Sequence, residues 1–224
     1  MEVTDCLQSW KSIRRYKPDP IPDQKLHLVL EAARRAPSWS NLQPWHFIVV
    51  KDEDIKGKLS ALSLGQRLIR QAPVVIVCCG NLEAVGKTAH REALKGLVAA
   101  GAIKVPVDMM DKAVIENPIL GPSVMEPAIV LGILLENLAI AYTFMAVEAS
   151  NQGLGSCMIG GFGNPLNKQM TDLYNDLSKA LGLTENLLLL RMLTLGFPDE
   201  SPQLRPRKNL RDIASLEKFQ NKFA

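Results

Sequence analysis

APSWSNLQPWHFIVV, residues 36–50, is the stretch on which the reading of this chain turns. It sets four hydrogen-bonding side chains, Ser38, Ser40, Asn41 and Gln43, between Pro37 and Pro44, and then runs directly into an apolar segment rich in β-branched residues. The prolines stiffen the backbone and bias their predecessors away from helix, so the polar side chains ride on a pinned loop. Such a loop suits the orientation of a flat heteroaromatic ring by a few placed donors and acceptors. Residues 46–50 are expected to form a short strand.

Outward from this loop, Asp23 is expected to cap a helix over 24–35, on which Leu26, Val29, Leu30 and Ala33 share one face. Helical spacing covers 54–69, and VVIVCC (74–79) has the continuous apolar pattern of a strand buried on both faces. Residues 81–126 mix helical pieces with VPVDMM and NPILGPSVMEP and read as a lid or excursion outside the core. A long helix over about 126–152 ends at Gly153, followed by GLGSCMIGGFG, read as a glycine-rich turn. A helix over 166–181 and a strand over 187–196 complete the pattern. Helices outnumber strands, and few strands are sequence neighbours. The fold class expected is therefore α+β, with a small central sheet, in one domain over 1–224 that carries a variable insertion around 81–126.

Composition narrows the function. A chain of 224 residues, 47% hydrophobic and 22% charged, buries a core without help from disulfides or a structural metal. The four cysteines include an adjacent pair and no CxxC, which argues against a zinc ribbon or a dithiol motif and for a reducing, cytoplasmic setting. The start, MEVTDCLQSW, is acidic where a signal peptide is basic. The most apolar window, 128–147, places Glu136 and Asn137 at its centre and reads as a core helix, not a membrane span. A net charge of +3 excludes a global field for nucleic acid or anionic lipid, so any anion site must be local. GNLEAVGKT mimics a phosphate-binding P-loop, but five residues separate its glycines where four are needed. GLGSCMIGG has Met158 where a dinucleotide fingerprint needs glycine.

Three segments hold the chemistry of a flat, phosphate-bearing ligand. Ser12 and Arg14, with Lys11 and Arg15 beside them, offer a hydroxyl and cations. The loop from Pro37 offers ring donors and acceptors. Arg205 and Arg207 put two cations on one side of an extended tail. No Ser-His-Asp or Cys-His arrangement is visible, and His27, His46 and His90 fall in helix or strand contexts. Cys157 reads as a small buried filler, Trp39 as a pocket wall and Trp45 as a loop anchor.

SIRRY, APSWSNLQPWHFIVV, GLGSCMIGGF and LGFPDESPQLRPR occur in an order and spacing that resemble the nitroreductase family of FMN-dependent oxidoreductases, over nearly the whole chain. The resemblance implies a small, mostly antiparallel sheet flanked by helices, an intertwined homodimer and two FMN sites at the subunit interface. It implies that Lys11, Ser12 and Arg14 hold FMN, with Arg14 the candidate cation near the ring. Pro37, Ser38, Trp39, Ser40, Asn41 and Gln43 reach the flavin from the partner chain. Gln66 meets the pyrimidine end of the ring, Ile159, Gly160 and Gly161 run beside its reactive edge, and Arg205 and Arg207 hold the phosphate. No metal is implied.

The family usually carries an arginine two residues before the serine, where this chain has Trp10. Either Lys11 and the tail arginines replace that charge, or FMN is held less tightly. The activity implied is hydride transfer from NADH or NADPH through the flavin to a nitroaromatic, quinone or related acceptor, in ping-pong order. A specialised family member (dehalogenase, flavin-degrading or peptide dehydrogenase type) and a low-turnover FMN-binding protein are the alternatives.

Overall fold

The computed structural model describes residues 2–104, 106 and 109–222. Its centre is a four-stranded sheet of β1 (Trp45–Val50), β2 (Val74–Asn81), β3 (Gly155–Ile159) and β4 (Leu187–Gly196), in the order β1-β2-β4-β3 with every pair antiparallel. β2 is buried at every position except its last, as its unbroken apolar run requires. The short α1 (Val3–Ser9) comes first, and further helices cover both faces of the sheet. On one side lie α2 (Asp23–Arg34), presenting Leu26, Val29 and Ala33, and the long α6 (Pro127–Asn151), presenting Leu134, Leu138 and Met145. On the other lie α3 (Glu53–Leu62), α4 (Arg67–Gln71) and α7 (Thr171–Leu181), which bring Leu59, Leu62, Ile69 and Leu177 against Val75, Val77 and Met192. The expected α+β class is what forms.

Several local expectations are corrected. Asp23 is the first residue of α2 and caps nothing, since Pro22 occupies the cap position. The helix expected over 54–69 is two helices, because Leu64 and Gly65 adopt φ of 59° and 76° and turn the chain between them. Asp52 caps the first, accepting from the Ile55 N–H at 2.8 Å. The helix expected from 166 begins at Thr171, after a turn in which Lys168 and Met170 have positive φ. Within 81–126, α5 (Lys87–Ala99) is not wholly outside a core: its Leu94 packs with Met110 and Ile115 in a small separate cluster. Val105, Val107 and Asp108 of the VPVDMM piece lie outside the described residues.

The largest correction concerns GLGSCMIGGFG, whose first half is not a turn but edge strand β3. Glycine content hides a strand here because Gly155 answers a close approach: a Cβ on it would stand 2.8 Å from Ile13 Cβ. The segment around Ile13 runs along the free edge of β3, with Ser12 bridged to Ser156 in parallel and the Ile13 N–H donating to Ser156 O at 2.9 Å. Tyr16 locks this segment down, its hydroxyl 2.6 Å from Ile13 O and 2.7 Å from Thr194 Oγ1. Burial pushes the Tyr16 phenol well above its usual range, so it stays neutral there.

α6 is long and apolar enough to cross a membrane by length and composition, yet one face of it is packed in the core, and 33% of its most apolar window is buried within the chain. Ile129 and Phe144 remain exposed on it.

Gly155→Val should overpack the contact with Ile13 and cost about 1–3 kcal/mol. Chemical denaturation checks it, and a variant as stable as the parent would show that the 12–16 segment is not held by that close approach.

Candidate functional site

The basic N-terminal motif and the C-terminal tail meet. Lys11, Ser12, Arg14, Gln203 and Arg205 line a cavity of about 340 Å³. Glu200 fastens the two segments together, its Oε1 accepting from the Arg14 N–H at 2.5 Å and the Arg15 N–H at 3.2 Å. Lys11 Nζ donates to Ser201 Oγ at 3.1 Å, and the Asp199 N–H donates to Arg15 O at 3.0 Å. Glu200 thus meets backbone N–H groups and Arg15 (3.6 Å), leaving Lys11, Arg14 and Arg205 to make the cavity electropositive. Three cations and a hydroxyl suit a phosphate. Arg207 is not among the residues lining this cavity, and its Nη1 turns back onto Arg205 O and Pro206 O. Trp10 packs at the core margin and points Nε1 at Ser156 Oγ, 3.4 Å away, so the residue that replaces the usual arginine helps dock the motif on β3. Sequence reasoning missed Glu200 because one acid in a polar tail carries no local signal.

Further along the same edge, β3 ends at buried Ile159 and continues into exposed Gly160 and Gly161. Gln66, at the start of α4, donates through Nε2 to Gly161 O at 3.3 Å, which sets its side chain beside this turn. Four residues of strand separate Ser156 from Gly160, about 13 Å. A phosphate cradle and a glycine turn at that spacing fit the two ends of a phosphorylated, chain-linked ring such as FMN.

The loop of 37–43 lies elsewhere. It enters β1, at the opposite edge of the sheet, and at the opposite end of the strands: Trp45 is level with Gly80 and Leu188, whereas Ser156 is level with Leu195 and Val74. Three strand spacings across and six residues along give about 14 Å by about 20 Å, ignoring twist. One chain therefore keeps the loop and the Lys11 motif at opposite corners.

The loop is strained and held. Ser40, Asn41 and Gln43 have φ of 46°, 56° and 47°, left-handed conformations costing about 1–3 kcal/mol each that surrounding contacts must impose. The Trp39 N–H donates to Asn137 Oδ1 at 2.7 Å, the Gln43 N–H to Ser38 Oγ at 2.9 Å, and Trp39 Nε1 to Leu120 O at 3.3 Å. Pro37, Ser38, Trp39, Glu136 and Asn137 line a cavity of about 200 Å³, which makes Trp39 a wall. Trp45 packs on the core and stacks on Phe47 at 6.4 Å, which makes it an anchor. Asn137 was visible in the sequence only as a polar residue in an apolar helix; its buried side chain also donates to Ile133 O at 2.6 Å.

The four cysteines are buried, and burial pushes the Cys78 and Cys157 thiols up and that of Cys79 to about 12, so these three stay protonated. His27 and His46 are exposed, and His90 is buried with its pKa held low by that burial. Among the described residues no group of His, Cys, Asp and Glu could hold a metal.

Residues 7–113 match the sequence model described as the nitroreductase family. A 73-residue stretch is 49% identical to a protein named NADH dehydrogenase in Thermus thermophilus, covering 33% of this chain and 36% of that one. The alignment to "FMN reductase [NAD(P)H]" of Bacillus subtilis is 29% identical and covers 98% of this chain and 75% of the relative. A putative nitroreductase of Bacillus subtilis, YdfN, superposes with a TM-score of 0.75 over 95% of this chain and 97% of that one, at 20% identity. The resemblance to the nitroreductase family is thereby borne out, in sequence over residues 7–113 and in fold over nearly the whole chain.

Asn137→Ala should leave the Trp39 N–H without its acceptor, lowering stability by about 1–3 kcal/mol. Urea unfolding measures the loss, and a change below about 0.3 kcal/mol would show that the loop is held by other contacts.

Proposed function

We propose that the protein is an FMN-dependent oxidoreductase that takes hydride from NADH or NADPH and passes it to a nitroaromatic, quinone or related small-molecule acceptor. We infer further that it works as a homodimer with two flavin sites between the subunits. One observation carries this reading: the residues suited to a phosphate and a ring edge share one edge of the sheet, while the ring-orienting loop sits at the far corner. A two-fold pair brings the loop of one chain to the edge of the other and covers the apolar face that α6 leaves open. The names of similar proteins, an FMN reductase and a putative nitroreductase, support the same reading.

Lys11, Ser12 and Arg205 would hold the phosphate end, with Arg207 beside them, and Arg14, which lines the same cavity, would bring its charge toward the ring. Gln66 and the backbone of Ile159, Gly160 and Gly161 would face the ring, and Ser38, Ser40, Asn41 and Gln43 would approach from the other chain, with Pro37 and Trp39 shaping that wall. Bound FMN supplies the hydride acceptor and donor, so no side chain has to act as nucleophile or general base. The protein's own work is orientation, exclusion of water and stabilisation of charge. Donor and acceptor take turns in one cavity, which is a ping-pong order. Protonated, buried thiols suit a reducing, cytoplasmic setting.

The purified protein should be yellow with non-covalent FMN and should bleach on anaerobic addition of NADH or NADPH, then recolour with a quinone. Protein that remains colourless after incubation with FMN would overturn the assignment, and bleaching without turnover would mark a binding protein.

Arg205→Ala should weaken FMN at least tenfold and leave riboflavin nearly unchanged, because a charge-assisted hydrogen bond is worth about 1.5–3 kcal/mol. Arg207→Ala should do less, since its guanidinium is turned to the tail's own backbone. Fluorescence titration with both ligands checks the order, and equal losses for FMN and riboflavin would show that Arg205 acts on the ring or on folding.

Light scattering across a dilution series, with flavin absorbance followed in parallel, should show FMN lost as the dimer dissociates. A monomer at full FMN occupancy would place the whole site in one chain.

A further inference from the structure

β4 contains one charged residue, Arg191, in the run LLLLRMLTLG. The ladder is broken beside it: Cys78 of β2 pairs with Arg191 and Cys79 with Leu189, so Leu190 is the extra residue of a bulge. Bulges of this kind re-aim a side chain and recur beside functional sites. Here the side chain runs over the glycine turn, with Cδ, Nε and Cζ at 3.6, 3.6 and 3.7 Å from the place a Cβ on Gly160 would take. Arg191 is half-buried, and its one hydrogen bond among the described residues joins Nη1 to the carbonyl of its own neighbour Leu190, at 2.6 Å. It forms no ion pair among the described residues, unlike half-exposed Arg91, which is paired with Asp111 at 2.8 Å. A partly desolvated guanidinium whose charge no carboxylate balances is costly unless an anion completes it.

Resting on the reading of this edge as a flavin site, we propose that Arg191 is a further ring-side cation of that site, facing the flavin across Gly160 and helping to balance the negative charge that reduction places on the ring. Hydride transfer breaks a C–H bond of the reduced nicotinamide. Both electrons leave with the hydrogen, the nicotinamide becomes a cation, and the flavin gains one hydrogen and one negative charge. A fixed positive charge in a poorly hydrated site favours the reduced state over the oxidised one, where no such charge exists. Arg14 lines the cavity at the other end of the edge, with Lys11 and Arg205, so Arg191 adds a second charge on the glycine-turn side of the ring. The glycine at 160 keeps the guanidinium uncovered.

The test compares FMN-loaded parent, Arg191→Met and Arg191→Lys by spectroelectrochemical titration, together with oxidised FMN affinity by fluorescence quenching and folding by circular dichroism. Arg191→Met should weaken reduced FMN at least tenfold more than it weakens oxidised FMN, whose affinity stays within about threefold of the parent. For this two-electron couple that lowers the midpoint potential by about 30 mV. Arg191→Lys, which keeps the charge, should retain most of the parent potential. An unchanged potential in Arg191→Met, or an equal fall in both variants, would overturn the proposal while leaving the flavin site intact. A parent protein that binds no FMN would overturn the flavin reading itself, and this inference with it. Should Arg191→Met not fold, Arg191→Gln takes its place in the same comparison.

Discussion

The pairing of β2 with β4 is the constraint from which the rest of this structure follows. Both strands are almost wholly buried, so every backbone N–H and C=O in them must be satisfied within the sheet and both faces must be covered by helices. That requirement puts α2 and α6 on one side and α3, α4 and α7 on the other. It also leaves function to the two edges. β1 and β3, the outer strands, are where polar segments approach the sheet, and the two halves of the candidate site lie one on each.

Polar groups inside this apolar frame mark the places where the backbone is held for a purpose. Asn137 in α6 accepts from the Trp39 N–H and donates to Ile133 O, tying a strained loop to the longest helix of the chain. Lys56, buried in α3, donates to Ala72 O at 2.9 Å and pairs with Glu53, which closes the end of α4 before β2 begins. Each partner is a specific atom at hydrogen-bonding distance, as buried polar groups require. Half-buried Arg191 contrasts with these, a cation with a single hydrogen bond among the described residues, and its place over Gly160 gives that contrast a meaning.

α6 joins the fold to the proposed assembly. Its apolar residues surround it, so the sheet and α2 satisfy only part of its circumference. The same helix positions the loop through Asn137, which means that a second copy packed on α6 would bear directly on the geometry of the strained residues 40–43. Cofactor binding and association would then share one structural element.

Much was legible in the sequence because it depends on local pattern. The VVIVCC run specified a buried strand, 187–196 specified another to the residue, and the long helix expected over about 126–152 matches α6 within one residue at either end. The polar loop between two prolines, the basic motif and the glycine turn were each visible as chemistry. Long-range contact decided the rest. β3 hid behind its glycines, because Gly155 is there for Ile13, a residue 142 positions earlier in the chain, and no local window registers that approach. The break at Leu64 and Gly65 came from positive φ imposed where the chain must turn between two helices packed on the same face. Residue types and spacings announced a site for a phosphate-bearing ring. Only the strand order, with β1 and β3 at opposite edges, separated its halves, because strand order is set by the burial of whole faces and not by any property of a single segment.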